Sequence, residues 1–261
     1  MVCSLINITV NRVHKAGGVL YPVRSGLILN CSIFSFNQAS ESGSVLYILQ
    51  NLRKVQFFGF CKLIHNSAGT GGAIYAIEST FSLPGTDVTN VNNNLYIAFS
   101  VTNDSGGGIY LYWSTLILHP YGNAVNIFNN TAKSNSGGMH AINSLITFTE
   151  LYTRMKSWPH QNLLIFSYNS AQITGGLCME SAAQLHVQMV KDSNQKNGKL
   201  RPSISFSSAQ YGEAIYAADE TYFDICDGEH NTMITTAATS HAFFKYFQML
   251  HILLQTQVLP M

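Results

Sequence analysis

Charge is what this chain has least of. Asp, Glu, Lys and Arg together make up 10% of its 261 residues, whereas an average soluble domain has about 25%. The 14 basic and 13 acidic side chains nearly cancel and leave a formal net charge of +1. Such a chain has no electrostatic field that would attract nucleic acid or an anionic membrane surface. We therefore expect no nucleic-acid partner.

Cysteine motifs with metal or redox spacing are also missing. There is no CxxC pair and no Cys/His zinc spacing, and an odd number of thiols leaves at least one of them unpaired within the chain. The sequence therefore predicts no metal, no cofactor and no dense disulfide framework, and it leaves the disulfide pairing open. The five cysteines are Cys3, Cys31, Cys61, Cys178 and Cys226.

Long apolar segments are absent as well. The longest apolar patch, 243–254, is interrupted by Lys245, Gln248 and His251, and a membrane helix needs about 18 or more consecutive apolar residues. The chain start has no basic region followed by an apolar one, so it does not resemble a signal peptide. We expect no membrane span here, and we expect the chain to be a segment of a longer extracellular protein with further coils.

What the sequence does contain is a repeat. Seven stretches share a strand-like apolar segment that usually ends in Asn, a small polar turn and an apolar run, as in "LIHNSAGTGGAIYAIESTFSL" from Leu63. Successive copies are about 26 to 38 residues apart, which is typical of an array with variable loops. Their anchor residues are Gly18, Ser44, Ala73, Gly108, Gly138, Gly176 and Ala214.

Each copy has the pattern of short strands. Apolar and aromatic residues alternate with polar ones before the turn, and β-branched and aromatic residues fill the run after it. No copy has a helical pattern of useful length. The fold class that this predicts is all-β, a solenoid in which strands of neighbouring coils pair in parallel about 4.8 Å apart.

One asparagine recurs at the bend of the repeat. Asparagine tolerates left-handed backbone and bonds to nearby backbone, which suits a bend between strands. Stacked through successive coils, the side-chain amides would form a ladder; the alternative is a set of unrelated surface turns. The ladder positions are Asn11, Asn37, Asn66, Asn130 and Asn169, with Ser207 in the last copy.

The motifs "FSFN" and "FSYN", together with "GGAIY", "GGGIY" and "GGMHA", resemble the repeats of polymorphic outer-membrane proteins. The resemblance spans about Ile8 to Ile225 and implies a right-handed parallel β-helix of the pectin-lyase-like class. We expect about seven coils over residues 1–226. The tail 227–261 is left open as a capping strand or helix, a partner-binding segment or a gene-model artefact.

The residues offer little chemistry. Glycine-rich "GTGGAIYA" lacks the Lys and Ser/Thr of a phosphate loop and predicts a structural turn. His65 and His140 occupy positions that Phe, Tyr or Leu hold in other copies, so we expect them to pack. An acidic concentration at the end of the array lacks the spacing of a calcium loop and predicts a solvated edge. Its members are Asp219, Glu220, Asp224, Asp227 and Glu229.

Asn-x-Ser/Thr sequons are the clearest indication of location. They favour a secreted or cell-surface protein, and they lie at Asn7, Asn30, Asn103 and Asn129. We expect a non-catalytic extracellular or cell-surface scaffold that binds a glycan or an extracellular protein through Tyr, Asn, Ser and Trp113 in its loops. The alternative is a carbohydrate-active β-helix enzyme, a polysaccharide lyase or hydrolase, or an inactive relic of one. The sequence predicts no catalytic residue for that alternative.

Overall fold

The structure is a computed structural model. It describes residues 2–4, 6–30, 32–51, 55–58, 60–83, 95–118, 125–150, 164–189, 203–205, 215–217, 221–226, 231–235 and 242–244. In these ranges the chain consists of short strands and turns, without a helix. The prediction of an all-β fold is therefore confirmed for the described part of the chain.

The strands are two to six residues long. In the first half they are β1 (Val2–Ser4), β2 (Asn7–Thr9), β3 (Arg12–Val13), β4 (Leu27–Asn30), β5 (Ile33–Ser35), β6 (Gln38–Ala39), β7 (Leu46–Leu49), β8 (Val55–Phe58), β9 (Cys61–Ile64), β10 (Ser67–Ala68), β11 (Ile74–Ile77), β12 (Thr80–Leu83), β13 (Leu95–Ala98) and β14 (Val101–Thr102). In the second half they are β15 (Ile109–Tyr112), β16 (Thr115–Leu118), β17 (Val125–Phe128), β18 (Thr131–Ala132), β19 (Met139–Ile142), β20 (Leu145–Glu150), β21 (Leu164–Ser167), β22 (Leu177–Glu180), β23 (Gln184–Met189), β24 (Ser203–Ser205), β25 (Ile215–Ala217), β26 (Tyr222–Cys226), β27 (Asn231–Thr235) and β28 (Ala242–Phe244).

These strands form four sheets. Sheet 1 has the order β1-β4-β8-β12-β16-β20-β23-β26-β27, and sheet 2 has the order β2-β5-β9-β13-β17-β21-β24. Sheet 3 has the order β3-β6-β10-β14-β18, and sheet 4 has the order β7-β11-β15-β19-β22-β25-β28. From β4 to β19 the chain visits sheets 1, 2, 3 and 4 in turn and then repeats the cycle. Each strand therefore pairs with the strand one cycle away, which makes the fold solenoid-like.

Pairing within the sheets is parallel and in register. On sheet 4, for example, Tyr75 of β11 lies between Tyr47 of β7 and Tyr110 of β15. Two pairs at the C-terminal side are antiparallel, β26 with β27 and β25 with β28. Both β27 and β28 belong to the tail 227–261. Among the described residues, no helix is long and apolar enough to cross a membrane.

Alternating burial explains why these short segments are strands. In β7 and β11 the first and third residues are buried and the second and fourth are half-buried. The inward residues of sheets 1, 2 and 4 meet in one apolar core, which contains Leu29, Ile48, Leu63 and Leu111, each fully buried. A parallel sheet with one face on such a core needs this period of two, and the sequence supplies it in every copy.

Two corners of the coil are made by a residue with left-handed backbone. The first corner joins sheet 2 to sheet 3 and has φ between 52° and 59° at Val10, Phe36, His65, Phe99, Asn129 and Tyr168. The second corner joins sheet 4 to sheet 1 and has φ between 47° and 53° at Arg24, Gln50, Glu78, Trp113, Asn143 and Ser181. In most coils a buried Asn or Ser comes next at each corner, whereas Asn11 is half-buried and Ser25 and Ala182 are exposed.

This geometry corrects one expectation. The recurrent asparagines, such as Asn37 and Asn66, were expected to adopt the left-handed conformation themselves, but it belongs to the residue before each of them. The physical reason is burial. At the bend one side chain must face solvent and the next must face the interior, and the asparagine is the inward one.

Glycine forms the turn that leads into sheet 4. Gly71 has φ of 62°, which favours glycine. A Cβ atom on Gly72 would overlap the carbonyl oxygen of Gly107 in the neighbouring coil. The glycines of "GTGGAIYA" therefore let two coils approach each other, and the backbone amide of Gly72 donates to the carbonyl of Gly106 at 3.0 Å.

Candidate functional site

The asparagines at the first corner bond to one another across coils. Asn11 Nδ2 donates to Asn37 Oδ1 at 3.0 Å, and Asn37 Nδ2 donates to Asn66 Oδ1 at 3.1 Å. Farther along, Asn130 Nδ2 donates to Asn169 Oδ1 at 3.1 Å. Each of these contacts joins a side chain to its counterpart in the next coil, so the residues stabilise the stack. Ser207 lies outside the described residues.

The row of asparagines is interrupted by Ser100, which follows the corner residue Phe99. Its backbone amide donates to Asn130 Oδ1 at 3.0 Å, but its hydroxyl bonds to Ala98 of its own coil. The asparagines also hold the interior strands, since Asn66 Nδ2 donates to the Phe34 carbonyl at 3.1 Å. These side chains are buried except that of Asn11, which is half-buried. The buried members are unavailable to a ligand, and the role of the row in the described part is structural.

A second polar row runs along the second corner. Here each backbone N–H donates to the serine hydroxyl of the next coil. The separations are 3.0 Å from Asn51 N to Ser79 Oγ, 3.2 Å from Ser79 N to Ser114 Oγ and 3.0 Å from Ser114 N to Ser144 Oγ. This row was not predicted from the sequence. Its signal was present, because the stretches "ESTFSL", "WSTLIL" and "NSLITF" share the serine at one place in the repeat.

A connected surface of aromatic rings lies on sheet 2 and the first corner. We call it the aromatic face, and it consists of Phe36, Phe60, His65, Tyr96, Phe99 and Phe128. The separations between consecutive ring centroids are 5.3 Å for Phe60–Tyr96, 6.4 Å for Tyr96–Phe128, 5.5 Å for Phe128–Phe99, 4.8 Å for Phe99–His65 and 4.9 Å for His65–Phe36. The side chain of His65 therefore packs, but at the surface and between two rings.

Stacking and exposure coexist on the aromatic face. The ring of His65 is nearly parallel to those of Phe36 and Phe99, with interplanar angles of 3° and 12°. Even so, Phe36 remains 57% exposed, Phe99 42% and Phe60 40%. One charge borders the surface, since Lys62 Nζ lies 4.9 Å above the Phe60 ring. The result is an apolar ridge of ring edges beside one cation.

An open groove lies at the second corner. Its lining residues are Glu78, Ser79, Thr80, Tyr112, Trp113 and Thr115. Trp113 is 58% exposed, and its ring meets that of Tyr112 edge-on with centroids 6.4 Å apart. The groove thus combines an accessible indole face with hydroxyl groups and one carboxylate. Trp113 was expected among the binding residues, and the structure places it here.

A column of tyrosines occupies the outward side of sheet 4. Tyr47 and Tyr75 stack with centroids 5.1 Å apart, Tyr75 and Tyr110 at 4.9 Å, and Tyr110 meets the His140 ring edge-on at 5.2 Å. Burial, with a smaller contribution from Tyr75, raises the pKa of Tyr110 well above its usual range. The pKa of Tyr47 and that of Tyr75 are also raised, again mainly by burial.

The column ends at a cluster of three side chains. His140 of β19 is the register neighbour of Cys178 on β22, and Glu180 lies two residues farther along β22. His140 Nε2 is 3.2 Å from Glu180 Oε2, and the Cys178 thiol donates to Glu180 Oε1 at 3.5 Å. Hydrogen bonding to His140 lowers the pKa of Glu180. Burial and the Glu180 charge raise the pKa of Cys178 well above its usual range.

This cluster is poorly suited to nucleophilic catalysis. Cys178 and His140 are both buried, at 0% and 2% exposure, and the raised pKa of Cys178 keeps its sulfur as a thiol rather than the reactive thiolate. The thiol bonds to Glu180, not to the imidazole. A soft sulfur, an imidazole and a carboxylate are, however, the donor types that bind divalent metals.

The remaining predicted residues lie apart from these features. Asn7 and Asn103 are exposed, Asn129 is half-buried at the first corner, and Asn30 is half-buried with its side-chain oxygen enclosed. Of the acidic concentration, Asp224 falls on β26, and the other four carboxylates lie outside the described residues. Cys61 and Cys178 are both buried.

Comparison with known proteins gives no assignment: no protein-family model matches the chain, and neither the curated proteins nor the solved structures include a significant match.

Proposed function

We propose that this protein is a non-catalytic recognition or adhesion module that acts outside the cell or at its surface. We further propose that its scaffold is a right-handed parallel β-helix of about seven coils, of the kind found in polymorphic outer-membrane proteins. The recurring order of the four sheets and their in-register parallel strands support the scaffold. The scarcity of charge and the four sequons support the extracellular location.

The aromatic face is the observation that carries the proposed function. Bulky residues rarely adopt left-handed backbone, and Phe36, His65 and Phe99 do so in three successive coils while facing solvent. Stacking one ring on the next stabilises the corner by about 0.5–1.5 kcal/mol for each pair. Stacking alone does not require a ridge this exposed, and contiguous exposed apolar surface is typical of a docking site.

The ring geometry favours a protein partner on the aromatic face. A sugar needs the free flat side of a ring, but the stacked rings of Phe36, His65 and Phe99 cover one another and present their edges. Ring edges beside Lys62 suit the apolar side chains of an extracellular protein with a carboxylate nearby.

A glycan is the second candidate, and a separate observation favours it. The Trp113 indole in the open groove has an accessible face, with Thr80, Thr115 and Glu78 around it as hydrogen-bonding groups. An aromatic platform with a few polar groups is a common arrangement for orienting a small ligand. The groove is therefore proposed as a site for a neutral oligosaccharide.

The enzymatic alternative has less support. Glycoside hydrolysis needs two carboxylates about 5 to 9.5 Å apart around an accessible bond, and the groove contributes Glu78 as its one lining carboxylate. The cluster of His140, Cys178 and Glu180 is too enclosed to reach a polymer. A recognition role, by contrast, needs only exposed surfaces such as the aromatic face and the groove at the second corner.

The test uses two matched variants in one assay. Phe36→Ser with Phe99→Ser removes the ridge, and Trp113→Ser removes the platform; all three positions are exposed and left-handed, so the local cost of substitution is similar. Immobilised protein is presented with purified extracellular-matrix proteins and, separately, with neutral oligosaccharides. We expect the first variant to lose protein binding and the second to lose oligosaccharide binding.

Two outcomes would contradict the proposal. If neither variant changes any binding while circular dichroism confirms the fold, the two surfaces are not recognition sites. If a polysaccharide substrate gains reducing ends or unsaturated products on incubation with the wild-type protein, the module is catalytic.

A further inference from the structure

The arrangement of His140, Cys178 and Glu180 is set by the backbone. His140 and Cys178 are direct neighbours on the paired strands β19 and β22, and Glu180 follows Cys178 by two residues, so all three project from the same side of sheet 4. Because the three residues lie on paired strands, their relative positions do not depend on the conformation of a loop. The donor atoms of the three side chains lie within 4.8 Å of one another.

These separations are close to those around a tetrahedral metal ion. Zinc binds sulfur at about 2.3 Å and imidazole or carboxylate at about 2.0–2.2 Å, which puts tetrahedral donors roughly 3.4–3.6 Å apart. The observed separations are 3.2 Å between His140 Nε2 and Glu180 Oε2 and 3.5 Å between Cys178 Sγ and Glu180 Oε1. The three donors lie within 4.8 Å of one another, so side-chain rotation has to shorten the longest separation before all three can bind one ion.

We propose that His140, Cys178 and Glu180 form a binding site for Zn²⁺, with water as the fourth ligand. Thiolate and carboxylate together cancel the charge of the ion, which suits a site beneath the surface. The Glu180 side chain, 24% exposed, provides the path for the ion and the position for the water. Zinc is favoured over Mg²⁺ or Ca²⁺ because those ions select oxygen ligands.

The two nitrogens of the buried imidazole differ. His140 is 2% exposed, its Nδ1 is buried with no hydrogen-bond partner, and its Nε2 lies beside Glu180. In the proposed site the ion binds Nε2, so the proton of the neutral ring stays on Nδ1. On binding, the thiol proton of Cys178 passes to solvent and the sulfur–metal bond replaces it, so the step needs no oxidant or reductant.

The experiment uses Co²⁺ as a spectroscopic substitute for Zn²⁺. The full chain, kept reduced, is titrated with Co²⁺ in a background in which Cys3, Cys31 and Cys226 are serine. A thiolate ligand gives a near-ultraviolet charge-transfer band, and tetrahedral geometry gives intense visible bands. We expect both, at one ion per chain, with displacement by one equivalent of Zn²⁺.

Matched variants locate the site. Cys178→Ser removes the proposed sulfur ligand, and Cys61→Ser is the control, since it replaces a buried cysteine outside the cluster. We expect the charge-transfer band to vanish in the first variant and to persist in the second. Glu180→Gln keeps the side-chain size and should weaken Zn²⁺ binding by more than about 100-fold, since even residues that only support a metal ligand contribute 10–100-fold.

The proposal is overturned if no charge-transfer band appears, or if the band survives in Cys178→Ser. It is also overturned if Glu180→Gln, with an unchanged circular-dichroism spectrum, binds Zn²⁺ as the parent does. The readouts involve neither the aromatic face nor the groove, so they are independent of the proposed recognition function.

Discussion

Asn37 donates from Nδ2 to Oδ1 of Asn66 across 3.1 Å, and its backbone amide donates to the same oxygen at 3.0 Å. The two side chains are 1% exposed and belong to successive coils. One amide oxygen thus satisfies two donors of the neighbouring coil, so the stack depends on polar bonds as well as on its apolar core.

Asn66→Ala is expected to lower the free energy of unfolding by about 3 kcal/mol, because it leaves buried donors of Asn37 unsatisfied. Urea denaturation followed by circular dichroism measures the change. Asn103→Ala replaces the same residue type at an exposed position and should change the value by less than about 0.5 kcal/mol. Equal effects of the two substitutions would show that the hydrogen bonds of the buried Asn66 side chain do not stabilise the stack.

Gly72→Ala is expected to cost about 3 kcal/mol, the upper end for overpacking, because the added methyl group would meet the Gly107 carbonyl of the next coil. The backbone there cannot move without separating two coils. Thr70→Ala, two residues earlier and half-buried, is the control, with an expected change below about 0.5 kcal/mol. Thermal and urea unfolding measure both changes. If Gly72→Ala lowers the free energy of unfolding no more than Thr70→Ala does, the close approach of the coils is contradicted.

The tyrosine column predicts a loss of stability in alkali. The folded-state pKa of Tyr110 lies above the usual tyrosine value of about 10, chiefly because of burial. The contribution of Tyr110 to the free energy of unfolding is therefore fully present below about pH 10. It falls as the pH rises further, because the tyrosine ionises in the unfolded chain before it does so in the folded one. Tyr110→Phe should flatten the decline of unfolding free energy above about pH 10. Identical slopes for wild type and variant would disprove the assignment.

Much of the fold could be predicted from the sequence because each coil repeats its pattern. Apolar alternation in "AIYAI" indicates a strand with one buried face, and that is what β11 shows. The same expectation for "FSFN" was wrong for its second phenylalanine, because Phe34 is buried but Phe36 lies at the corner and is 57% exposed. The aromatic face and the polar cluster could not be predicted residue by residue, because they join side chains 29 to 40 positions apart. Register provides the missing information: His140 and Cys178 each stand two places after the anchors Gly138 and Gly176.

The left-handed corner residue was misplaced for a different reason. Asparagine is the residue type that most readily accepts positive φ after glycine, so preference alone pointed to Asn37 rather than Phe36. The structure gives the conformation to Phe36 because the interior of the bend requires a hydrogen-bonding side chain and the outside does not. Tertiary context outweighs local preference at this position.

The account rests on in-register parallel stacking, and disulfide trapping tests it most directly. Tyr75 and Tyr110 are register neighbours, whereas Tyr47 and Tyr110 are separated by the strand between them. Paired strands lie about 4.8 Å apart, and disulfides need Cα atoms within about 7 Å. After mild oxidation, peptide mass spectrometry should find the cross-link in Tyr75→Cys with Tyr110→Cys and not in Tyr47→Cys with Tyr110→Cys. A cross-link in the second variant and none in the first would contradict the stacking.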